Sequence, residues 1–300
     1  MSLIQLTNTN IKKIVCVYQL HYINSLSPGI GDFLRGCFYI MQLSKLLNIG
    51  FELDISNHPI AKYIINTGKN SNINYDNLEF IIGHNRPPHL WRDPNMHLDY
   101  NFANQLINKL NNYHDSDTYG LFVNAFPIFY NFLDTGRAFI KSMLRPNTFM
   151  QEYIDYTLNE ISLEKNTYAT IHIRCGDEYL TKTKNMDIHF VTRIKRIINN
   201  LIVPNKKYLI ISDSNILKIS LKSNPNFYIT NRKIEHLGGE LLKSSETNGI
   251  MNTLLDFYLM SYSNAIFALT AYGHISGFSK YCAVTNNISF NFIEIQHTFN

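Results

Sequence analysis

Residues 14–55 read IVCVYQLHYINSLSPGIGDFLRGCFYIMQLSKLLNIGFELDI. The opening run, Ile14 to Gln19, is β-branched and apolar, the pattern of a strand buried on both faces. A short loop leads to Ser27-Pro28-Gly29-Ile30-Gly31-Asp32-Phe33-Leu34-Arg35-Gly36, and the apolar run behind it predicts a helix ending near Gly50. Gly50 to Ile55 predicts a second strand. Strand, helix and strand in that order make a βαβ unit, because parallel strands need a long crossover. The fold class is therefore α/β.

The same alternation continues along the chain. Further strands are predicted near Leu78–Ile82 and Tyr119–Ala125, with a long loop at residues 83–101. Residues 129–163 read as helical with a break at Arg145-Pro146, since a proline cannot continue the preceding helix. That break divides the chain into residues 1–145 and 146–300, the size of two ordinary domains. In the second half, strands are predicted at Thr167–Arg174, Lys207–Ser212, Phe227–Ile229, Ala265–Leu269 and Ile288–Phe292. Helices are predicted at Asp187–Ile202, Ile216–Lys222, Met251–Ser263 and His274–Tyr281. Sheets of this kind bind ligands beyond the carboxyl ends of their strands, which points to a cleft between the two halves.

Composition narrows the function classes. Charged residues make up 17% of the 300 residues, and Lys+Arg exceed Asp+Glu by only 4. So small an excess argues against a nucleic-acid partner and suits a local pocket for a small anion. The four cysteines show no CxxC spacing, and most lie in apolar stretches, as unpaired buried thiols in a reducing compartment do. The N-terminal stretch lacks a basic region followed by an apolar core, and no run of about 18 apolar residues occurs. The expectation is a cytoplasmic protein without a membrane anchor.

Four segments at strand ends can carry chemistry. Gly29 and Gly31 sit in a Gly-rich turn that opens a helix, either a structural turn or a loop cradling an anion, with Asp32 as a helix cap or a cleft-facing carboxylate. His172-Ile173-Arg174-Cys175-Gly176-Asp177 ends a strand. Alternation puts Ile171 and Ile173 on one face and His172 and Arg174 on the other, two basic groups suited to a phosphate. An Arg174–Asp177 ion pair that only pins the loop is the alternative. Asp213, in Ser212-Asp213-Ser214, either caps the next helix or takes a sugar hydroxyl. Asp256 is placed near the first turn of its helix, where a carboxylate can accept both the ring N–H and the exocyclic amino group of guanine. Ser276 and Ser279 open the last helix, a position suited to phosphate.

Together HIRCGD (172–177), ISDS (211–214) and DFYLMSYSNAIFALTAYGHISGFS (256–279) resemble the GDP-fucose-dependent fucosyltransferase superfamily. This superfamily includes the α1,2-, α1,6- and protein O-fucosyltransferases and the nodulation fucosyltransferases. The GIGDFLRG segment looks like that family's N-terminal Gly-rich turn. The resemblance implies a GT-B fold, two Rossmann-like domains facing across a cleft, with the donor in the C-terminal one and the acceptor side in the N-terminal one. It implies an inverting glycosyltransferase that moves fucose or a related deoxyhexose from a GDP-sugar to a glycan hydroxyl, with no metal and no cofactor. Arg174 matches the arginine on the donor diphosphate, His172 the histidine beside guanine and Asp256 the carboxylate that reads it. Ser276 and Ser279 match the serines near the phosphates, and Asp213 the second-motif acid. Cys175 stands where several relatives carry a second arginine. A non-catalytic nucleotide-sugar- or glycan-binding module of the same fold is the alternative function.

An inverting displacement gains from a carboxylate that takes the acceptor proton. Asp32 is the choice here, with Asp177 and Glu178 next. Asp115-Ser116-Asp117 has the form of a metal-holding D-x-D, but it precedes a predicted strand where such motifs follow one. The tyrosines and phenylalanines read as core, and Trp91, in the loop, as a platform for an acceptor sugar.

Overall fold

The structure is a computed structural model that describes residues 3–70, 72–83, 100–126, 133–176, 188–238, 247–271 and 275–295. The chain forms two compact units that divide between Arg145 and Pro146, with Gly238 counted in the first. No helix among the described residues is long and apolar enough to cross a membrane.

The first unit is built on a four-stranded parallel sheet in the order β4-β1-β6-β5, comprising β1 (Lys13–Val17), β4 (Gly50–Asp54), β5 (Phe80–Ile82) and β6 (Thr118–Asn124). A two-residue hairpin pairs β2 (His21–Tyr22) with β3 (Ser25–Leu26). In β1 every residue from Ile14 to Val17 is buried, which is why it reads as one unbroken apolar run. Helix α1 (Ile30–Leu46) crosses over from β1 to β4, whose register pairs Ile14 with Phe51 and Val17 with Asp54.

Gly29 precedes α1 at φ −67 and ψ 160, and Gly31 lies buried inside it. Neither has a positive φ, so the turn does not depend on glycine at these two positions. The constraint falls on Gly36. A Cβ there would lie 1.7 Å from the carbonyl oxygen of Val123, so α1 rests directly on the backbone of β6.

One helix of this unit escaped the sequence reading, Tyr100–Asn111. Phe102, Ala103, Leu106, Ile107 and Leu110 pack with Tyr39, Ile40 and Leu43 of α1 over β1 and β6. Their spacing is the helical stripe, but it follows directly on a Pro-rich stretch that reads as loop. Many of the described aromatics are core, as the sequence suggested, although Phe149 and Tyr156 are exposed. Tyr18 is stacked between Phe33, 4.3 Å away, and His58, 3.9 Å away. Cys16 of β1 and Cys37 of α1 bring their sulfurs to 3.6 Å, and all four cysteines are buried free thiols.

The second unit holds a five-stranded parallel sheet, β11-β10-β7-β8-β9. Its strands are β7 (Tyr168–Arg174), β8 (Lys207–Ser212), β9 (Phe227–Ile229), β10 (Ala265–Thr270) and β11 (Ser289–Glu294). Alternation along β7 splits its side chains between two environments. Ala169, Ile171 and Ile173 join a dry cluster with Val191, Ile194 and Ile198 of helix Ile188–Leu201 and Leu217 and Leu221 of helix Asn215–Leu221. The other face meets helices Thr247–Ser261 and Gly277–Asn286. There Tyr168 donates to the Leu259 carbonyl at 2.5 Å, and His172 lies 5.7 Å from the ring of Phe278. Helices therefore cover both faces of a parallel sheet, the doubly wound arrangement expected.

Gly36→Ala is expected to destabilise the protein by about 3 kcal/mol, because a strand carbonyl cannot easily retreat from the new methyl group. A melting temperature equal to that of the unmodified chain would show that α1 does not rest on β6 as described.

Candidate functional site

The carboxyl ends of β7, β8 and β10 lie side by side. Ile173 pairs with Ser212, and Arg174 pairs with Thr270. This register brings the residue that ends β7 to the residue that follows β8. Arg174 Nη1 donates to Asp213 Oδ2 at 2.9 Å. The backbone amides of Cys175 and Gly176 donate to Asp213 Oδ1 and Oδ2 at 2.7 and 2.8 Å. Gly176 has φ 140, a backbone conformation that favours glycine. Asp213 is 3% exposed and Arg174 19%. Burial pushes the Asp213 carboxyl up, and the guanidinium and the two amides oppose that shift. Asp213 is therefore a buried brace under the β7 turn, and the guanidinium is its partly accessible end.

This corrects the reading of Asp213 as a helix cap. The cap of helix Asn215–Leu221 is Ser214, whose hydroxyl accepts from the Leu217 amide at 3.3 Å. The Asp213 carboxylate is already taken up by three donors.

His172 is 4% exposed, and its Nδ1 has no hydrogen-bond partner among the described residues. Burial holds its pKa down to about 3, and the charge of Arg174 adds to the effect. The imidazole is neutral, so His172 and Arg174 share a face without forming a pair of cations. Of the two, only Arg174 supplies positive charge at neutral pH.

Asp256 lies in the third turn of helix Thr247–Ser261 rather than near its first, because the helix begins four residues before Met251. It is 2% exposed. Its Oδ1 accepts from the Thr230 hydroxyl at 3.4 Å, and its Oδ2 is buried without a partner among the described residues. Burial pushes its pKa up to about 6, against the charge of Lys218, the Thr230 hydroxyl and the charge of Arg232. Lys218 and Thr230 were not singled out from the sequence. Ser276 caps helix Gly277–Asn286 through its backbone, without a side-chain bond to the helix, and the buried Ser279 hydroxyl donates to its carbonyl at 3.5 Å.

Gly29, Gly31 and Asp32 belong to the first unit. Asp32 is in the first turn of α1 but does not cap it, since Gly29 holds that position. Its carboxylate pairs instead with Arg35 at 2.7 Å and is 36% exposed. Arg35 is fixed in turn by Asn124 Oδ1, which accepts from Nε at 2.8 Å and from Nη2, and by the ring of Phe126, 4.5 Å from the guanidinium carbon. Arg35 also escaped the sequence reading, although its i,i+3 spacing from Asp32 was the available signal.

Asp117 is tied to the start of β6, its carboxylate accepting from the Thr118 hydroxyl at 2.8 Å. Among the described residues no group of three or more His, Cys, Asp or Glu could hold a metal ion. Asp177, Glu178, Trp91 and residues 272–274 lie outside the described residues.

No family model matches the chain, and no curated protein matches it in sequence. Its fold does match solved structures. NodZ α-1,6-fucosyltransferase co-crystallised with GDP superposes with TM-score 0.52 at 13% identity, over 91% of this chain and 92% of that one. Fucosyltransferase NodZ from Bradyrhizobium gives TM-score 0.54 at 14% identity, over 97% and 96%. A mutant of Arabidopsis thaliana FUT1 in complex with GDP gives 0.52 at 10% identity, over 96% of this chain and 71% of that one. The chain therefore has the GT-B fold of these fucosyltransferases, the fold class that the resemblance implied.

The two buried groups act on stability with opposite signs. The native His172 pKa lies below the unfolded value of 6.5, so the unfolded state binds the proton first and stability is lost as pH falls from 6.5 toward 3. The native Asp256 pKa lies above its unfolded value of 3.8, so the native state binds the proton first and stability is gained as pH falls from 6 toward 4. Melting curves between pH 7 and 4 are expected to show a shallower acid loss for His172→Gln and a steeper one for Asp256→Asn. Identical pH dependence in all three proteins would contradict both assignments.

Proposed function

We propose that the chain is an inverting glycosyltransferase that moves fucose, or a related deoxyhexose, from a GDP-sugar to a glycan hydroxyl without needing a metal ion. The observation that carries this reading is the braced arginine. Asp213 fixes Arg174 at the carboxyl end of β7 before any ligand arrives, on the strand that also carries the neutral His172. The shared fold with GDP-bound fucosyltransferases supports the same donor.

The chemistry follows from charge. As the bond between the sugar's anomeric carbon and the β-phosphate oxygen breaks, its electrons stay with the diphosphate. A fixed guanidinium stabilises that charge with no reorganisation at the moment of reaction. In this proposal Arg174 holds the diphosphate, and Ser276, Ser279 and the amides that open helix Gly277–Asn286 add donors. Asp256 accepts from the ring N–H and the exocyclic amino group of guanine, and its buried Oδ2, which has no partner among the described residues, is the acceptor left for one of them. His172 lies beside the base as a neutral ring. The acceptor hydroxyl attacks the opposite face of the anomeric carbon, which inverts its configuration, and Asp32 takes its proton. Gly29 and Gly31 belong to the turn that carries Asp32. The first unit is thus the acceptor side and the second the donor side.

Calorimetry with GDP, ADP and UDP is expected to give tightest binding for GDP. Arg174→Ala is expected to lower transfer from GDP-fucose by about 10²-fold or more, as losing a transition-state donor does. Arg174→Lys keeps the charge but loses the planar fork, so its activity should fall between the two. Tighter binding of UDP or ADP would overturn the donor assignment. Full transfer by a folded Arg174→Ala protein would overturn the role of the arginine.

A further inference from the structure

Lys218 is the buried cation that this reaction scheme leaves without a role. It lies on the helix Asn215–Leu221 at 2% exposure, among the largest fully buried side chains of the protein. The helix buries Leu217, Lys218 and Leu221, while Ile216 and Ile219 stand 48% and 62% exposed. An inward position that an isoleucine would fill at no electrostatic cost is thus given to an ammonium group. Burial alone drives a lysine toward its neutral form, and here it lowers the Lys218 pKa, while the charges of Asp256 and Asp213 oppose that shift.

The hydrogen bonds show what the lysine is tied to. Its Nζ donates to the Thr230 carbonyl at 3.3 Å and to the Arg232 carbonyl at 3.5 Å. The hydroxyl of the same Thr230 donates to Asp256 Oδ1 at 3.4 Å. Thr230 therefore links the ammonium to one oxygen of the carboxylate, and the other oxygen has no partner among the described residues.

We propose that Lys218 is a positioning residue for nucleotide specificity, a buried counter-ion that acts with Thr230 to keep Asp256 charged and turned so that its unsatisfied oxygen reads guanine. The proposal rests on the GDP-sugar reading of this site. A carboxylate accepts at both oxygens and so suits two adjacent N–H donors, whereas a protonated carboxyl brings its own O–H against one of them.

Several groups act on Asp256. Lys218 faces it from the helix Asn215–Leu221, and the Thr230 hydroxyl and the Arg232 charge reach it from the segment after β9. The Tyr153 phenol of helix Thr148–Glu160 also feels its charge. Of these, Lys218 opposes the effect of burial most strongly. Its removal should shift the carboxyl's protonation to higher pH.

The test is calorimetry on the full chain between pH 5.5 and 9 with GDP and with inosine diphosphate, which lacks the exocyclic amino group. The unmodified protein should prefer GDP and lose that preference as pH falls through about 6. Lys218→Met should move the midpoint of that loss up by roughly one pH unit or more and so weaken GDP about threefold at pH 6.5. Its preference for GDP over inosine diphosphate should return toward pH 9. Lys218→Arg should keep both the midpoint and the preference.

Thr230→Val removes only the bridging hydroxyl and should move the midpoint in the same direction. It gives the readout if Lys218→Met does not fold. A purely structural lysine would lower the melting temperature and weaken both nucleotides alike, with the midpoint unchanged, and that result would overturn the proposal. If the unmodified protein shows no preference for GDP over ADP and UDP, the donor reading fails and this proposal with it. If it prefers GDP and the variants keep its midpoint, the role of Lys218 alone fails.

Discussion

The carboxylate of Asp213 organises the end of the second sheet. Once buried, it must find donors or lose its charge, and the parallel register of β7 and β8 supplies three of them. Two are backbone amides, so the chain after β7 is pulled into a fixed turn, with Gly176 in a conformation that favours glycine. The third is the Arg174 guanidinium, which is thereby aimed before any ligand arrives. Replacing Asp213 would leave that turn unsupported and the arginine free to move. A guanidinium that must reorder itself during a reaction stabilises less of the developing charge than one already fixed.

The two faces of β7 do different work. Ile171 and Ile173 anchor the strand in a dry cluster, and that packing leaves the other face free to hold polar groups. On that second face Thr170 Oγ1 and His172 Nδ1 lack hydrogen-bond partners among the described residues, as does Asp256 Oδ2 in the helices packed beside it. Buried polar atoms are normally satisfied, so several open ones in one unit need a reason. A ligand that supplies the missing partners is the reason proposed here. Lys218 fits the same logic, because a buried carboxylate kept open for a ligand needs a counter-charge that does not occupy it.

The first unit solves a different problem. Close contact of α1 with β6 at Gly36 fixes the helix on the sheet. Arg35, on the neighbouring position of that helix, meets Asn124 at the end of β6 and holds the Asp32 carboxylate. Seating of the helix and placement of the carboxylate thus share one short stretch of α1.

Much of this was legible in the sequence. Strands buried on both faces read as apolar runs, so the order of the strands in the two halves of the chain and the break at Arg145-Pro146 followed from local pattern, while helix Tyr100–Asn111 did not. The alternation of β7 placed His172 and Arg174 together, because a strand's period is fixed by its backbone. What the sequence did not reveal was partnership. Arg174 and Asp213 are 39 residues apart, and only the register of β7 against β8 makes one the partner of the other. Lys218 reads by its residue type as a solvated side chain but shares the inward stripe of Leu217 and Leu221, and Gly36 looked less important than Gly29 and Gly31. Local pattern sets which face a residue shares with its neighbours in the chain. Which distant group meets it there, and how dry that place is, depends on packing between elements and so on the tertiary structure alone.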